Sequence, residues 1–385
     1  MGLIDVMALE CKVFRSIDAI GRDSINSLAE DGFFTYEWFK TLETQQSFGI
    51  SPFYLAVYNG DKVIAVAPCF VELSYFFQYG PQIRYVMPLL QKLLLLGHQR
   101  GFCQNSVLLC YSPFCSRSKI LLKENSEKKN ILNLLAKEID SICKKERILF
   151  SSFLFVSEFD RLLMDNLQKL NYLKSPGITT LYLDIQWSSF EDYLKSLKPK
   201  TRESIRREIR KCKENGVIIE EQELGGLSEN LSELLSNLTS KYDKNIKNIF
   251  NSSFFSILSV YAQNKTKLFI AKKNNEVVGF SLLLRQGNIL DGWLTGFKYE
   301  AQSKTDFTYF NLCYYMPIQW AIEENIKKIY YRSKAEKVKL DRGCKAEKTY
   351  SFVKCHDELL GPLINNALKT PLYSYLSRRF SRSEF

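Results

Sequence analysis

Histidine is nearly missing from this chain. Two in 385 residues, His98 and His356, leave little for zinc held by Cys/His ligands or for a histidine-centred triad, and no metal site is expected. Cys313 with His356 is the one pairing of that kind to follow. The ten cysteines include no CxxC pair and no regular spacing, so they read as reduced thiols of a cytoplasmic protein. Long apolar runs are lacking too: a stretch such as MPLLQKLLLLG (87–97) is too short to span a bilayer. At the N-terminus, MGLIDVMALECK carries Asp5 and no basic region ahead of an apolar stretch, which argues against a secretory signal. Val6 stands where myristoylation wants Ser or Thr.

What is present is a globular composition, 45% hydrophobic and 14% aromatic, in a chain long enough for two cores. The formal charge of +11 favours polyanionic partners such as nucleic acid, nucleotides or acidic membranes. The charge is concentrated. In SLKPKTRESIRREIRKCKENG (196–216), eight of the sixteen residues from Lys198 to Lys213 are Lys or Arg, opposed only by Glu203 and Glu208. Pro199 suits a first helical turn and Asn215-Gly216 a helix stop. Between them Ile205, Ile209 and Cys212 make a narrow apolar seam. Arg202, Arg206, Arg210 and Lys213 form an adjacent row, with Arg207 and Lys211 beside it. The segment is either a solvated face or a surface for phosphates.

YLAVYNGDKVIAVAPCF (54–70) and LFIAKKNNEVVGFSLLL (268–284) lie at a constant offset of 214 residues, each a strand, a polar turn and a second strand. The first is followed by a strand at 106–112, a helix over 128–145, a strand at 148–156 and a helix near 159–170. The second half opens with a strand at 179–185 and a helix over 188–194 carrying a Ser188/Glu191 capping box, then the basic helix. A strand at 217–224, a helix around 228–242, the second hairpin, a strand at 288–297, a long helix over 307–327 and strands at 327–333 and 348–354 complete it. This is an α/β or α+β arrangement made twice, with mixed sheets. Ser175-Pro176-Gly177 marks the expected boundary, giving domains 1–176 and 177–385. Phe33, Phe34, Tyr36 and Trp38 are expected in the first core, and the basic tail 378–385 outside both.

Three segments carry a family resemblance. KPKTRESIRREIRKCKENGV, FNLCYYMPIQWAIEENIKKI (310–329) and KVKLDRG (337–343) resemble motifs of the bacterial peptidoglycan biosynthesis/recognition proteins. That family is itself similar to the Fem-type aminoacyltransferases of tandem GNAT-like fold. Lys200, Arg202, Arg206, Arg207, Tyr314, Tyr315, Lys339, Arg342 and Gly343 match the pattern. Tyr309 and Asn311 replace its His and Glu, and Glu336-Lys337-Val338 replaces Gly-Glu-His. The resemblance implies two GNAT-like domains, the active site in the second, and transfer of an acyl or aminoacyl group to a small-molecule or peptide amine.

Such a reaction needs a neutral amine beside the carbonyl and stabilisation of a tetrahedral oxyanion. Lys339 or Arg342 is the candidate cation for the oxyanion or the donor's phosphate. Asp306, Tyr309 or Asp291 is the candidate acceptor of the amine proton. Asn311, Tyr314 and Tyr315, with Asp291, are acceptor-site candidates, and Lys200, Arg202, Arg206, Arg207 and Arg210 the donor-binding set. GNAT enzymes that use CoA carry a glycine-rich loop gripping pyrophosphate at a helix N-terminus, and no such segment occurs here. Side-chain cations suit a nucleic acid better, so aminoacyl-tRNA is the preferred donor. An acyl-CoA co-substrate or carrier-protein thioester is the alternative, and a non-catalytic binding protein of the same fold the second. No other cofactor is expected.

Overall fold

The computed structural model describes residues 9–45, 51–71, 107–123, 127–242, 250–301, 305–333 and 335–362. His98, the 87–97 run and the tail 378–385 lie outside them. Met1–Leu28, Gly49–Thr180 and Glu347–Phe385 make one compact unit; Ala29–Phe48 and Leu181–Ala346 make the other.

In the first unit, strands Glu10–Phe14 (β1), Ser51–Asn59 (β2), Lys62–Val71 (β3), Val107–Cys110 (β4) and Phe150–Ser157 (β6) lie side by side in that order. A short strand, Leu121–Leu122 (β5), pairs with β3. Lys345–Cys355 (β13) and then Leu173–Asp184 (β7) follow β6. The first three pairings are antiparallel, β4 with β6 is parallel, and β6 with β13 antiparallel. β2 and β3 are buried along most of their length, as central strands are. Ile131, Leu135, Ile139 and Ile142 of the helix Lys128–Lys145, and Leu163 and Leu167 of Arg161–Lys169, close this core at helical spacing.

The second unit repeats the plan. Val217–Gln222 (β8), Thr266–Lys273 (β9), Glu276–Gln286 (β10), Ile289–Phe297 (β11) and Lys328–Tyr331 (β12) lie in that order, followed by the end of β7. The senses again run antiparallel three times, parallel for β11 with β12, then antiparallel. The hairpins at 54–70 and 268–284 thus hold the same place in their sheets. Asn274 and Asn275 both take positive φ in the second turn, as a tight hairpin demands.

Four expectations need correction. The chain does not part into contiguous halves, because Ser175-Pro176-Gly177 lies inside β7 and that strand runs on. A Cβ at Gly177 would stand 2.6 Å from Thr349 Oγ1, so glycine admits the neighbouring strand. Phe33 and Trp38 serve the second core, with ring centres 5.8 and 4.9 Å from Trp293. The helix expected over 188–194 begins later: Ser189, not Ser188, caps Phe190–Ser196 and accepts from the Asp192 amide. Finally, the long helix ends at Glu323 and is broken. Thr308–Phe310 leads into a wide π turn, Asn311–Tyr315, before Met316–Glu323 resumes as α-helix. Pro317, with no amide hydrogen, sits just after the widened turn.

Candidate active site

The basic helix runs Pro199–Glu214 and stops at Asn215, with Gly216 at φ +73°. Ile205 and Cys212 are buried and Ile209 packs on the core, as the seam requires. Glu208 joins them, only 5% exposed. On the outer faces, Arg206 pairs with Glu191, while Arg210 and Lys211 reach Glu214 at 3.6 and 2.8 Å. Lys200, Arg202 and Arg207 have no ion-pair partner among the described residues.

Every residue of the π turn is buried. Asn311 Nδ2 donates to the Glu208 carbonyl at 3.2 Å and to the Phe307 carbonyl at 3.0 Å. Tyr315 donates its hydroxyl to Glu208 Oε2. Tyr314 shares a 3.1 Å hydrogen bond with Tyr309, whose own ring is part-exposed against Phe297. Burial, with Tyr309 beside it, drives the Tyr314 hydroxyl well above its ordinary range.

The third segment is the helix Glu336–Asp341, entered through Ala335 at φ +60°. Lys339 is 5% exposed and donates Nζ to the Arg332 carbonyl, with the Tyr331 ring 5.9 Å away. Burial pulls its ammonium down to about 8. Arg342 sits one turn on, its guanidinium spent on protein. Nη2 donates to Glu208 Oε2 at 3.0 Å and to Tyr315 at 2.8 Å. Nε donates to Tyr315 at 3.1 Å and Nη1 to the Val338 carbonyl at 3.2 Å. Its Cζ stands 4.4 Å over the Phe310 ring. Burial alone would lower the Arg342 pKa, but Tyr315 and Glu208 more than offset it and the net shift is upward.

Arg342, Tyr315 and Asn311 therefore meet around Glu208, with Lys339 on the same short helix as the Arg342 turn. The two candidate aspartates are engaged elsewhere. Asp306 pairs with Lys273 at 2.9 Å, and Asp291 accepts from the Gly32 amide at 3.3 Å. Cys313 lies in the second unit with its thiol pushed up to about 12 by burial, whereas His356 lies in the first and bonds Ser151 Oγ at 2.9 Å. Each has its own surroundings, and the pairing has no support. Glu208 is the residue that sequence reasoning passed over as mere counter-charge. Its signal was its position: three residues past Ile205 and four before Cys212, it falls in the seam itself.

Chemically, the arrangement sets a poorly hydrated lysine, charged or neutral near its pKa, beside the buried Tyr331 ring. In the charged form one of its three N–H donors holds the Arg332 carbonyl. Among the described residues no cluster of His, Cys, Asp and Glu could hold a metal ion, and no helix is long and apolar enough to cross a membrane.

Residues 15–371 match the model of the FemAB-like family, described as peptidoglycan biosynthesis/recognition. Among the solved structures similar over most of the chain are the following three. One is FemX, with TM-score 0.62 and 12% identity, over 92% of this chain and 99% of that one. A conserved protein of unknown function from Bacteroides thetaiotaomicron gives 0.56 at 9% identity, over 89% and 99%. A tandem GNAT protein from the clavulanic acid biosynthesis pathway gives 0.50 at 9%, over 91% and 99%. No curated protein sequence matches. At these identities the structures speak to fold alone: a tandem GNAT arrangement.

Proposed function

Since the chain belongs to the FemAB-like peptidoglycan biosynthesis/recognition family, which supports an acyltransferase role, we propose that it forms an amide by moving an aminoacyl group from tRNA to an amine. The family description favours a peptide amine of a peptidoglycan precursor as the acceptor. The observation that carries this reading is the convergence of the three motif segments on Glu208, with buried Lys339 on the third.

In this scheme the acceptor amine, neutral, attacks the ester carbonyl; the C–N bond forms and an oxyanion develops. Lys339 donates to it from a site where water does not compete. The oxyanion collapses, the C–O bond breaks, and the ribose hydroxyl leaves with a proton that came from the amine. Tyr309, part-exposed and hydrogen-bonded to Tyr314, passes that proton in this scheme. Arg342, with four of its five N–H donors engaged by Tyr315, Glu208 and the Val338 carbonyl, frames the site. The unpaired cations Lys200, Arg202 and Arg207 meet the donor's phosphates. A reaction fed by charged tRNA belongs in the cytoplasm.

The test is a transfer assay with a peptidoglycan-precursor peptide as acceptor and, in parallel, charged tRNA or acyl-CoA as donor. Product formed from charged tRNA supports the reading. Product from acyl-CoA alone moves the donor assignment to thioesters, and binding without product from either makes the protein a recognition module.

A further inference from the structure

Glu208 stands in the most cationic stretch of the chain, yet its side chain turns inward. Both carboxylate oxygens are used: Oε1 accepts from Ser204 Oγ at 2.9 Å, and Oε2 from Arg342 Nη2 at 3.0 Å and from the Tyr315 hydroxyl. Arg342 then reaches back along its own helix, Nη1 to the carbonyl of Val338, the residue before Lys339. Tyr193 donates to the Arg342 carbonyl at 3.0 Å and fixes the end of that helix from another side. A helix of six residues cannot hold its own shape or direction in water. Its orientation must be imposed from outside, and among the described residues Glu208 is the carboxylate paired with the Arg342 fork.

We infer that Glu208 is a positioning residue: through Arg342 it holds the short helix in the one orientation that keeps Lys339 buried against the Arg332 carbonyl. This rests on the transferase reading for its consequence in catalysis, though not for its geometry. Because Glu208 lies on the helix that bears the unpaired cations, it also joins the donor surface to the reacting lysine through a single side chain. Removing its charge takes the only carboxylate described at Nη2 from the guanidinium, leaving the neutral contacts with Tyr315 and Val338, so that the turn loosens and water reaches Lys339.

The experiment uses the full chain labelled with ε-13C lysine, the Lys339 signal being the one lost in Lys339→Met. In the wild type this signal should titrate below the ordinary lysine range, near pH 8, because burial disfavours the ammonium. In Glu208→Gln its midpoint should move up by about one unit or more, toward the value of a hydrated lysine. With charged tRNA and a precursor peptide, kcat should fall about 10–100-fold, the scale expected of a misplaced catalytic group, while KM for the tRNA changes little. Glu208→Asp should recover part of both effects. An unmoved Lys339 titration in a folded Glu208→Gln overturns the inference, as does a raised KM with kcat intact. If transfer is absent even in the wild type, the proposed function fails while the titration still decides the role of Glu208. Should Glu208→Gln not fold, Ser204→Ala removes one bond to the carboxylate, and a smaller shift in the same direction is required.

Discussion

In the first unit, Ser151 Oγ bonds Tyr172 at 2.9 Å and His356 Nε2 at 2.9 Å, and Tyr172 donates to Asp140 at 3.1 Å. The chain of bonds is neutral until it reaches the half-buried Asp140 and its partner Lys354. In the second unit, built on the same strand order, the buried polar groups include the Glu208–Arg342 ion pair with Tyr315. A neutral chain satisfies buried groups at low cost. A buried ion pair is weak evidence for stability, because desolvation of two charges consumes most of their attraction. One strand order therefore accommodates both solutions. Each unit also buries a base. Burial takes His356 down to about 4 and Lys339 down to about 8.

The largest expected effect separates these two bases. Lys339→Met should lower transfer from charged tRNA by about 100–1,000-fold, the range for loss of one oxyanion donor. The same change should raise stability at pH 7 by about 1–3 kcal/mol. Below pH 8 the wild type must keep a desolvated ammonium that the unfolded chain hydrates freely, a burden that lifts only as pH rises toward 10.5. His356→Gln should leave transfer unchanged, and a comparable loss there would break the contrast between the units.

Next comes the ion pair. Arg342→Ala should cost about 3–5 kcal/mol in urea unfolding by stranding the Glu208 carboxylate. The Glu208→Ala/Arg342→Ala double variant should cost clearly less than the two single changes added, since neither partner is then left alone. Simple additivity would mean the two do not interact.

Acid titration sharpens the comparison from the other side. His356 binds its proton with a folded pKa near 4 against an ordinary 6.5, so its contribution is complete above pH 6.5 and is lost as pH falls through 4. Stability should decline by about 3 kcal/mol across that window. His356→Gln should flatten that limb while leaving the Lys339 titration in place.

Much of this was legible in advance because it is written locally. The hairpins, the helix Lys128–Lys145 and the limits of the basic helix follow from turn residues, apolar spacing, Pro199 and Gly216. What escaped was non-local. A glutamate among arginines reads as solvent-facing until Arg342, 134 residues later, is known to point at it. Ser175-Pro176-Gly177 reads as a break until Thr349 is seen to need the space at Gly177. Phe33 and Trp38 have the right character for a core, but nothing near them in sequence says that Trp293 supplies it.

The smallest effect is expected at the surface. Replacing both Arg206 and Arg207 with Ala should change stability by no more than about 1 kcal/mol per residue. It should also reduce the salt dependence of tRNA binding by about one phosphate contact, that of Arg207, Arg206 being held by Glu191. Unchanged affinity and salt slope would return the outer face of the helix to plain solvation.

The path of the chain has a consequence for biosynthesis. β6 is made early, but β13, the strand it pairs with, is among the last described segments to leave the ribosome. The first sheet must therefore wait, one edge unfilled, while the whole second sheet is translated. Ala29–Phe48 waits in turn for the Trp293 that covers Trp38. Neither unit can mature before its late segment is made, so a shorter nascent chain exposes sheet edge and aromatic surface until Trp293 and then β13 have been translated.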